Sequence, residues 1–188
     1  TAAEDPRIAE NAKEVGQLLK LNPAIGAMHP FGATVEQECV ALFMFDIRTL
    51  GVETQAYVPS YGRWLQGCDM APAYVQHKLA LQALQAAIPT ERWVLKTPNH
   101  LWCLDTLRET YPDARIIWTH RDPGKVITSL ASLVNALQQM FTHRRDPASV
   151  ADEWLTKSRF AIDSGMAYDD QSDADWCQHV SFASLMKD

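Results

Sequence analysis

The chain of 188 residues lacks a long apolar run: the longest, Cys39 to Phe45, falls far short of the roughly 20 residues that cross a bilayer. No membrane span is expected. Its four cysteines, Cys39, Cys68, Cys103 and Cys177, lie 29 residues or more apart, with no C-x-x-C pair and no cysteine–histidine group at metal-ligand spacing, which argues against a structural zinc site. No metal is expected. Sparse thiols and the absence of an Asn-x-Ser/Thr sequon suit a reducing compartment, so the expected location is the cytoplasm. Eight glycines and ten prolines are too few for a collagen-like or low-complexity chain, and 47% apolar residues are too many for a disordered one. The expectation is one globular domain over residues 1–188. No charged-then-apolar leader follows Thr1, and Val180 to Asp188 reads as a strand entering a short helix, so the domain reads as truncated at both ends.

A surplus of positive charge is also missing. The net charge of −6 argues against a partner held through many phosphates, and no nucleic acid is expected. Residues 92–145 nevertheless hold eight basic residues (Arg92, Lys96, Arg108, Arg115, Arg121, Lys125, Arg144 and Arg145) against four acids (Asp105, Glu109, Asp113 and Asp122). One basic segment in an acidic chain suits a small anionic ligand.

The first half reads as helical. Asp5-Pro6 offers a capping carboxylate and a proline at the first helical position, opening a helix that runs to Leu21. A second helix is expected from about Val35 to Leu50, stopped by Gly51, and a third from Ala73 to Ile88, with Leu79, Leu84 and Ile88 on one stripe. Residues 52–72, with Pro59, Gly62, Gly67 and Pro72, read as irregular. Tyr57, Tyr61, Trp64 and Tyr74 there and just beyond either line a ligand pocket or pack on the core. Then the period changes. Trp93-Val94-Leu95 and Ile116-Ile117-Trp118 read as buried strands, joined by a helix through Leu101, Leu104 and Leu107 that closes at Tyr111-Pro112. Val126, Leu130, Leu133, Leu137 and Phe141 mark an amphipathic helix after the second strand. A β-α-β-α order implies a parallel sheet, whose ligands sit beyond the carboxyl ends of its strands. Residues 96–100 and 120–125 leave the two strands at that rim.

At the rim, Asp122 and Pro123 start a helix whose unpaired N–H groups and dipole favour an anion. Arg121 adds a planar fork of donors, and Ser129, on the same face of the helix as Asp122, adds a hydroxyl. Lys96, at the end of a buried strand, needs a partner or a ligand. His100, four residues on, is a candidate base titrating near neutrality. His29, His77, His143 and His179 lack such company and read as structural or surface residues. Two familiar motifs are incomplete. His120-Arg121-Asp122 resembles a kinase catalytic loop, but Ile127 stands where Asn is required, and the chain has no G-x-G-x-x-G. Gly124-Lys125 lacks the Ser/Thr and the leading Gly of a phosphate loop.

The stretches Arg92-Trp93-Val94-Leu95-Lys96-Thr97-Pro98-Asn99-His100-Leu101 and Tyr111-Pro112-Asp113-Ala114-Arg115-Ile116-Ile117-Trp118-Thr119-His120-Arg121-Asp122-Pro123, continued through Val126 to Leu133, closely resemble the bacterial-type sulfotransferases. Gly32-Ala33-Thr34, Glu38-Cys39 and Ala73-Tyr74 extend the likeness, which is good over Gly32 to Leu133. The resemblance implies an α/β fold with a P-loop NTPase-like parallel sheet flanked by helices, here helix-rich in its N-terminal half. It also implies 3′-phosphoadenosine 5′-phosphosulfate (PAPS) as co-substrate, and a small-molecule, glycan or lipid acceptor whose hydroxyl or amine takes the sulfuryl group. In that family a strand-end Arg and a Ser eight residues later hold the 3′-phosphate of the donor, the spacing of Arg121 and Ser129, and a lysine in the position of Lys96 contacts the transferring group. Many cytosolic sulfotransferases carry a catalytic His where this chain has Pro98; the nearest His is His100, and since some sulfotransferases use a glutamate, the resemblance implies His100 or Glu38 as the base. The family's Arg-Ser-Gly-Thr-type turn for the 5′-phosphosulfate is absent, so the chain alone is expected not to turn over. A P-loop-like nucleotide kinase fragment and a non-catalytic nucleotide-binding or interaction domain are the alternatives.

Overall fold

A computed structural model describes residues 5–142, 145–172 and 176–187; His143 and Arg144 lie outside the described residues. Three of its helices start alike. Helix α1 (Pro6–Leu21) is capped by Asp5, whose side chain accepts from Arg7 N at 3.0 Å. Asp122 caps α8 (Pro123–Phe141) through Lys125 N at 3.1 Å, and Asp146 caps α9 (Pro147–Asp169) through Ala148 N and Ser149 N, both at 3.3 Å. Each cap satisfies an amide that the first turn leaves without a partner, and each following proline sits where no amide is needed.

Between α1 and α8 the chain forms α2 (Pro23–Met28), α3 (Val40–Phe43), α4 (Leu50–Gln55), α5 (Pro59–Gly67), α6 (Ala71–Ala87), a 3₁₀ turn (Pro98–Trp102), α7 (Leu104–Thr110) and strand β1 (Ile116–His120). Strand β2 (Cys177–Ser181) and α10 (Phe182–Leu185) close it. β1 and β2 pair in parallel, from Ile116 opposite Cys177 to His120 opposite Ser181, with α8 and α9 forming the crossover. The chain is thus α/β, helix-rich, with a small parallel sheet. Phe43, Leu65, Tyr74, Val134 and Val150 form the centre of the core, and Ile25 of α2 is buried as well.

The parallel pairing was expected, but the partner differs. Residues 93–95 are not a strand, and Val94 is 95% exposed. Apolar side chains cannot make a strand without a ladder to join, and the described sheet has only β1 and β2. β1 itself is only half-buried, with Ile117 facing outward.

The helix expected over residues 35–50 is broken. After α3 the chain turns at Ile47, whose φ of 64° is uncommon for a β-branched residue. The Tyr61 hydroxyl holds that turn, donating to the Ile47 carbonyl and accepting from Thr49 N at 3.0 Å. Thr49 then caps α4, so Gly51 opens a helix rather than ending one. The stretch 52–72 is largely helical, since Pro59 occupies a first helical turn. Along α6 the buried face is Ala73, Tyr74, His77 and Leu81, while Leu79, Leu84 and Ile88 are exposed. The helical period was legible, but the stripe points the other way. The helix expected through Leu101, Leu104 and Leu107 is split into the 3₁₀ turn and α7.

Two glycines mark close approaches. A Cβ on Gly165 of α9 would meet Leu101 Cδ1 at 2.5 Å and Trp118 Cη2 at 2.9 Å, so the bare backbone is what lets α9 lie against β1. A Cβ on Gly62 of α5 would fall 2.0 Å from Glu53 Oε1. Glu53 is itself 2% exposed and ion-paired to Lys157 of α9 at 2.6 Å, so it has little room to withdraw. Gly62→Ala is therefore expected to lower folding stability by about 2 kcal/mol, read as a drop in the urea midpoint. Gly67→Ala, where the added methyl meets nothing within 4 Å, leaves that midpoint unchanged or raises it.

Candidate active site

Where β1 passes into α8, the backbone corner carries Arg121, Asp122 and Lys125 around the helix start. They line an open concavity of about 500 Å³ together with Ser129 and Ser132. The hydroxyls of Thr128 and Ser132 are engaged by their own helix, donating to the carbonyls of Gly124 and Thr128 at 2.7 and 2.8 Å. Ser129 is exposed, and its hydroxyl makes no hydrogen bond among the described residues. Its donor is available to a ligand, and Arg121 stands on the same wall. The Arg121 guanidinium lies 4.9 Å from the ring centroid of Phe182, the first residue of α10. A cation beside an aromatic face is held there by the ring's quadrupole and keeps N–H donors for an anion. Lys125 adds a second cation, against the one carboxylate of Asp122.

His120, the residue before Arg121, belongs to a hydrogen-bonded chain for which the sequence held no local signal. His179 of β2 donates through Nε2 to the Asp169 carboxylate at 2.9 Å. Its Nδ1 is then left to accept from His120 Nε2 at 2.7 Å, with the two rings stacked 4.9 Å apart. His179 was expected to be without company. Its partners come from the ends of β1 and α9, which only the parallel pairing brings beside it.

Lys96 does not end a buried strand. Its side chain is largely exposed and ion-paired to the Glu38 carboxylate, which also lies 3.5 Å from His29 Nε2. The backbone holds this pair in place, since Cys39 N donates to the Lys96 carbonyl at 2.9 Å. Neither Lys96 nor His100 lines the Arg121–Ser129 concavity. Two separate polar groups therefore replace the single rim expected from the sequence.

His100 is packed inward. The Tyr74 hydroxyl and His100 Nδ1 are 2.7 Å apart, and Phe43, Tyr74 and His77 surround the ring. Burial first, and the nearby His77 second, push its pKa down to about 3 rather than leaving it near neutrality. Burial likewise pushes His77 down to about 4. His77 is completely buried and meets the Tyr111 hydroxyl through Nδ1 at 2.7 Å. Of the aromatic residues considered for an acceptor pocket, Tyr74 is core and Tyr61 holds the Ile47 turn. Tyr57 lies under the Arg145 guanidinium, and Trp64 is half-exposed beside Tyr61.

A model described as the sulfotransferase family matches residues 2–188. The chain belongs to the sulfotransferase family. Two mycobacterial crystal structures are similar to it. Sulfotransferase STF9 from Mycobacterium avium superposes with a TM-score of 0.85 at 27% identity, over 98% of this chain and 48% of that one. Sulfotransferase STF1 from Mycobacterium tuberculosis H37Rv superposes with a TM-score of 0.79, also at 27% identity, over 96% of this chain and 49% of that one. The chain thus spans about half the length of each. No curated protein matches it. Among the described residues no helix is long and apolar enough to cross a membrane.

The depressed histidine pKa values make stability depend on pH with a defined sign. Between the ordinary value of 6.5 and about 4, the unfolded chain holds protons at His77 and His100 that the folded chain does not. Their contribution is complete above pH 6.5 and falls on acidification by about 1 kcal/mol per pH unit for each. Glu53, raised by burial, acts in the opposite sense and offsets part of this. Urea midpoints measured from pH 7.5 down to 4.5 in the presence of a chelator are expected to hold level to about pH 6.5 and to fall below it. A flat profile would mean that the two imidazoles accept protons inside the folded core.

Proposed function

We propose that this chain carries the part of a PAPS-dependent sulfotransferase that grips the 3′-phosphate of the donor and presents the lysine used in transfer. The observation that carries the reading is that Arg121 and Ser129 line one open concavity at the carboxyl end of β1, where α8 begins. A guanidinium edge, an uncommitted hydroxyl and a helix start are the donor set that a phosphate monoester needs. The sheet is read as the edge of a P-loop NTPase-like sheet, because an anion at the carboxyl end of a parallel strand is how such sheets hold nucleotides.

In the proposed reaction the bond from sulfur to the bridging oxygen of the donor breaks as a bond from sulfur to an acceptor oxygen or nitrogen forms. The acceptor loses a proton and adenosine 3′,5′-bisphosphate leaves. Lys96 neutralises charge on the departing oxygen, as positioned cations do in the related phosphoryl transfers. Of the two candidate bases, Glu38 is supported by its place beside Lys96 at the surface. His100, with Nδ1 facing Tyr74 and its basicity suppressed by burial, is the weaker of the two. The acceptor is a small molecule, glycan or lipid bearing a hydroxyl or amine.

Titration calorimetry with adenosine 3′,5′-bisphosphate tests the donor site. Binding is expected for the wild-type chain, to weaken at least tenfold in Arg121→Ala and to weaken less in Ser129→Ala, with ATP binding more poorly than the bisphosphate. Equal affinity for ATP, or an unaffected Arg121→Ala variant, would instead support a nucleotide kinase or an inert interaction domain. In a preparation that turns PAPS over, Lys96→Ala is expected to lower kcat by about 10²–10³, the loss typical of one transition-state donor. The affinity for the bisphosphate stays within a few-fold. Glu38→Gln should lower kcat more than His100→Gln does.

A further inference from the structure

Directly beneath the Lys96–Glu38 pair, the fold assembles a group that sequence spacing did not announce. Cys39 is 3% exposed and His77 is fully buried, and both face His100. The Cys39 thiol and one ring nitrogen from each histidine all lie within 4.8 Å of one another. On both rings Nδ1 is the nitrogen that meets a tyrosine hydroxyl, Tyr111 for His77 and Tyr74 for His100, each at 2.7 Å. This leaves the two Nε2 atoms for a ligand. His77 Nε2 is buried and has no hydrogen-bond partner, although a buried polar nitrogen left unpaired is costly. Metal-binding histidines commonly use one nitrogen for the metal and fix the ring through the other by a hydrogen bond, which is the arrangement of His77 with Tyr111 and of His100 with Tyr74.

We propose that Cys39, His77 and His100 form a buried three-coordinate site for a soft monovalent metal ion, Cu(I), bound through Sγ and the two Nε2 atoms. One thiolate and two neutral imidazoles balance a single positive charge, so the loaded site is electrically neutral and burial carries no large charge penalty. A divalent ion such as Zn(II) would leave a net positive charge in this core and seeks a fourth ligand. The thiolate is a donor that soft ions such as Cu(I) select, and imidazole also suits copper. Loading exchanges the thiol proton for the ion, releasing one proton to solvent and forming a sulfur–metal bond without change of oxidation state. Bonds of about 2.0–2.3 Å in a trigonal plane place ligand atoms about 3.7 Å apart, so loading draws the three side chains together. The site goes beyond the sulfotransferase reading and does not depend on it.

The test is an anaerobic titration of the reduced chain with Cu(I) buffered by the chromogenic chelator bicinchoninate. The wild-type chain is expected to withdraw one equivalent of Cu(I), and a Cys68→Ser/Cys177→Ser variant to do the same. The near-isosteric Cys39→Ser is expected to withdraw at least 100-fold less tightly while keeping its wild-type circular dichroism. X-ray absorption at the copper edge of the loaded wild-type chain, which needs no variant, is expected to give one sulfur and two nitrogen neighbours. Failure to withdraw copper, undiminished binding in Cys39→Ser, two or more sulfur neighbours, or tighter binding of Zn(II) than of Cu(I) would each overturn the proposal. None of these outcomes bears on Arg121 or on nucleotide binding, so this proposal and the donor-site reading stand or fall separately.

Discussion

The Glu53 carboxylate, almost wholly removed from water, is the charge around which this fold closes. Lys157 of α9 meets it at 2.6 Å and reaches Glu153 at 2.5 Å, and Arg145 binds Glu153 at 3.2 Å. The Gln138 side chain, from the last turn of α8, donates to the Glu53 backbone carbonyl at 2.8 Å and accepts from Arg145 at 3.2 Å. A carboxylate in such surroundings is tolerable only with its cation in place, since removing one partner of a buried pair typically costs about 3–5 kcal/mol. Burial raises the Glu53 pKa even so, against the pull of Lys157. The network therefore serves geometry more than net stability: α4, α5, α8 and α9 must meet at one spacing for the charges to pair.

That spacing reaches the candidate donor site through two rigid helices. α8 has its far end fixed beside Glu53 and its near end capped by Asp122 at the corner where Arg121 and Ser129 stand. α9 has Lys157 in the charge network, Gly165 against Trp118 and Asp169 on His179. The two crossover helices thus begin and end at the strand pair and are held together at the opposite end by charge. A parallel pair of strands needs a crossover of this kind, and here its first helix carries Lys125 and Ser129 of the site.

Much of this was legible where the determining contacts are local. Asp5-Pro6 and Asp122-Pro123 identify their helix starts because cap, proline and first amide lie within three residues. Arg121 and Ser129 share a wall because the strand-to-helix corner and the first two turns of α8 put them there. Asp146-Pro147 has the same chemistry and could have announced α9. That helix buries Ala161 and Gly165 beside Val150 and Trp154, so small residues blur its apolar stripe. Other features depend on partners distant in the chain. Trp93-Val94-Leu95 has a strand's composition, but a strand exists only through its neighbour. Lys96 and Glu38 are 58 residues apart, and no spacing rule joins them. His77 reads as an isolated polar residue until α6 is rotated so that Tyr74 and Leu81 face inward with it.

Arg121 sits at the meeting of the two strand ends, and its environment is set mostly by the later one. His120 before it bonds to His179, and its guanidinium lies over Phe182; both partners belong to the β2–α10 segment. Phosphate chemistry needs the guanidinium edge to be aimed before the ligand arrives, because freezing a long side chain on binding consumes affinity. The contact with Phe182 supplies part of that aim while leaving N–H donors of the guanidinium for a ligand. Lys96 has no comparable support: its side chain is mostly exposed and tethered by Glu38 alone among the described residues. The two halves of the proposed chemistry are thus held differently, the phosphate anchor beside an aromatic ring and the transfer cation by an ion pair at the surface. Such a division suits a transfer in which the 3′-phosphate stays fixed while charge builds on the departing oxygen.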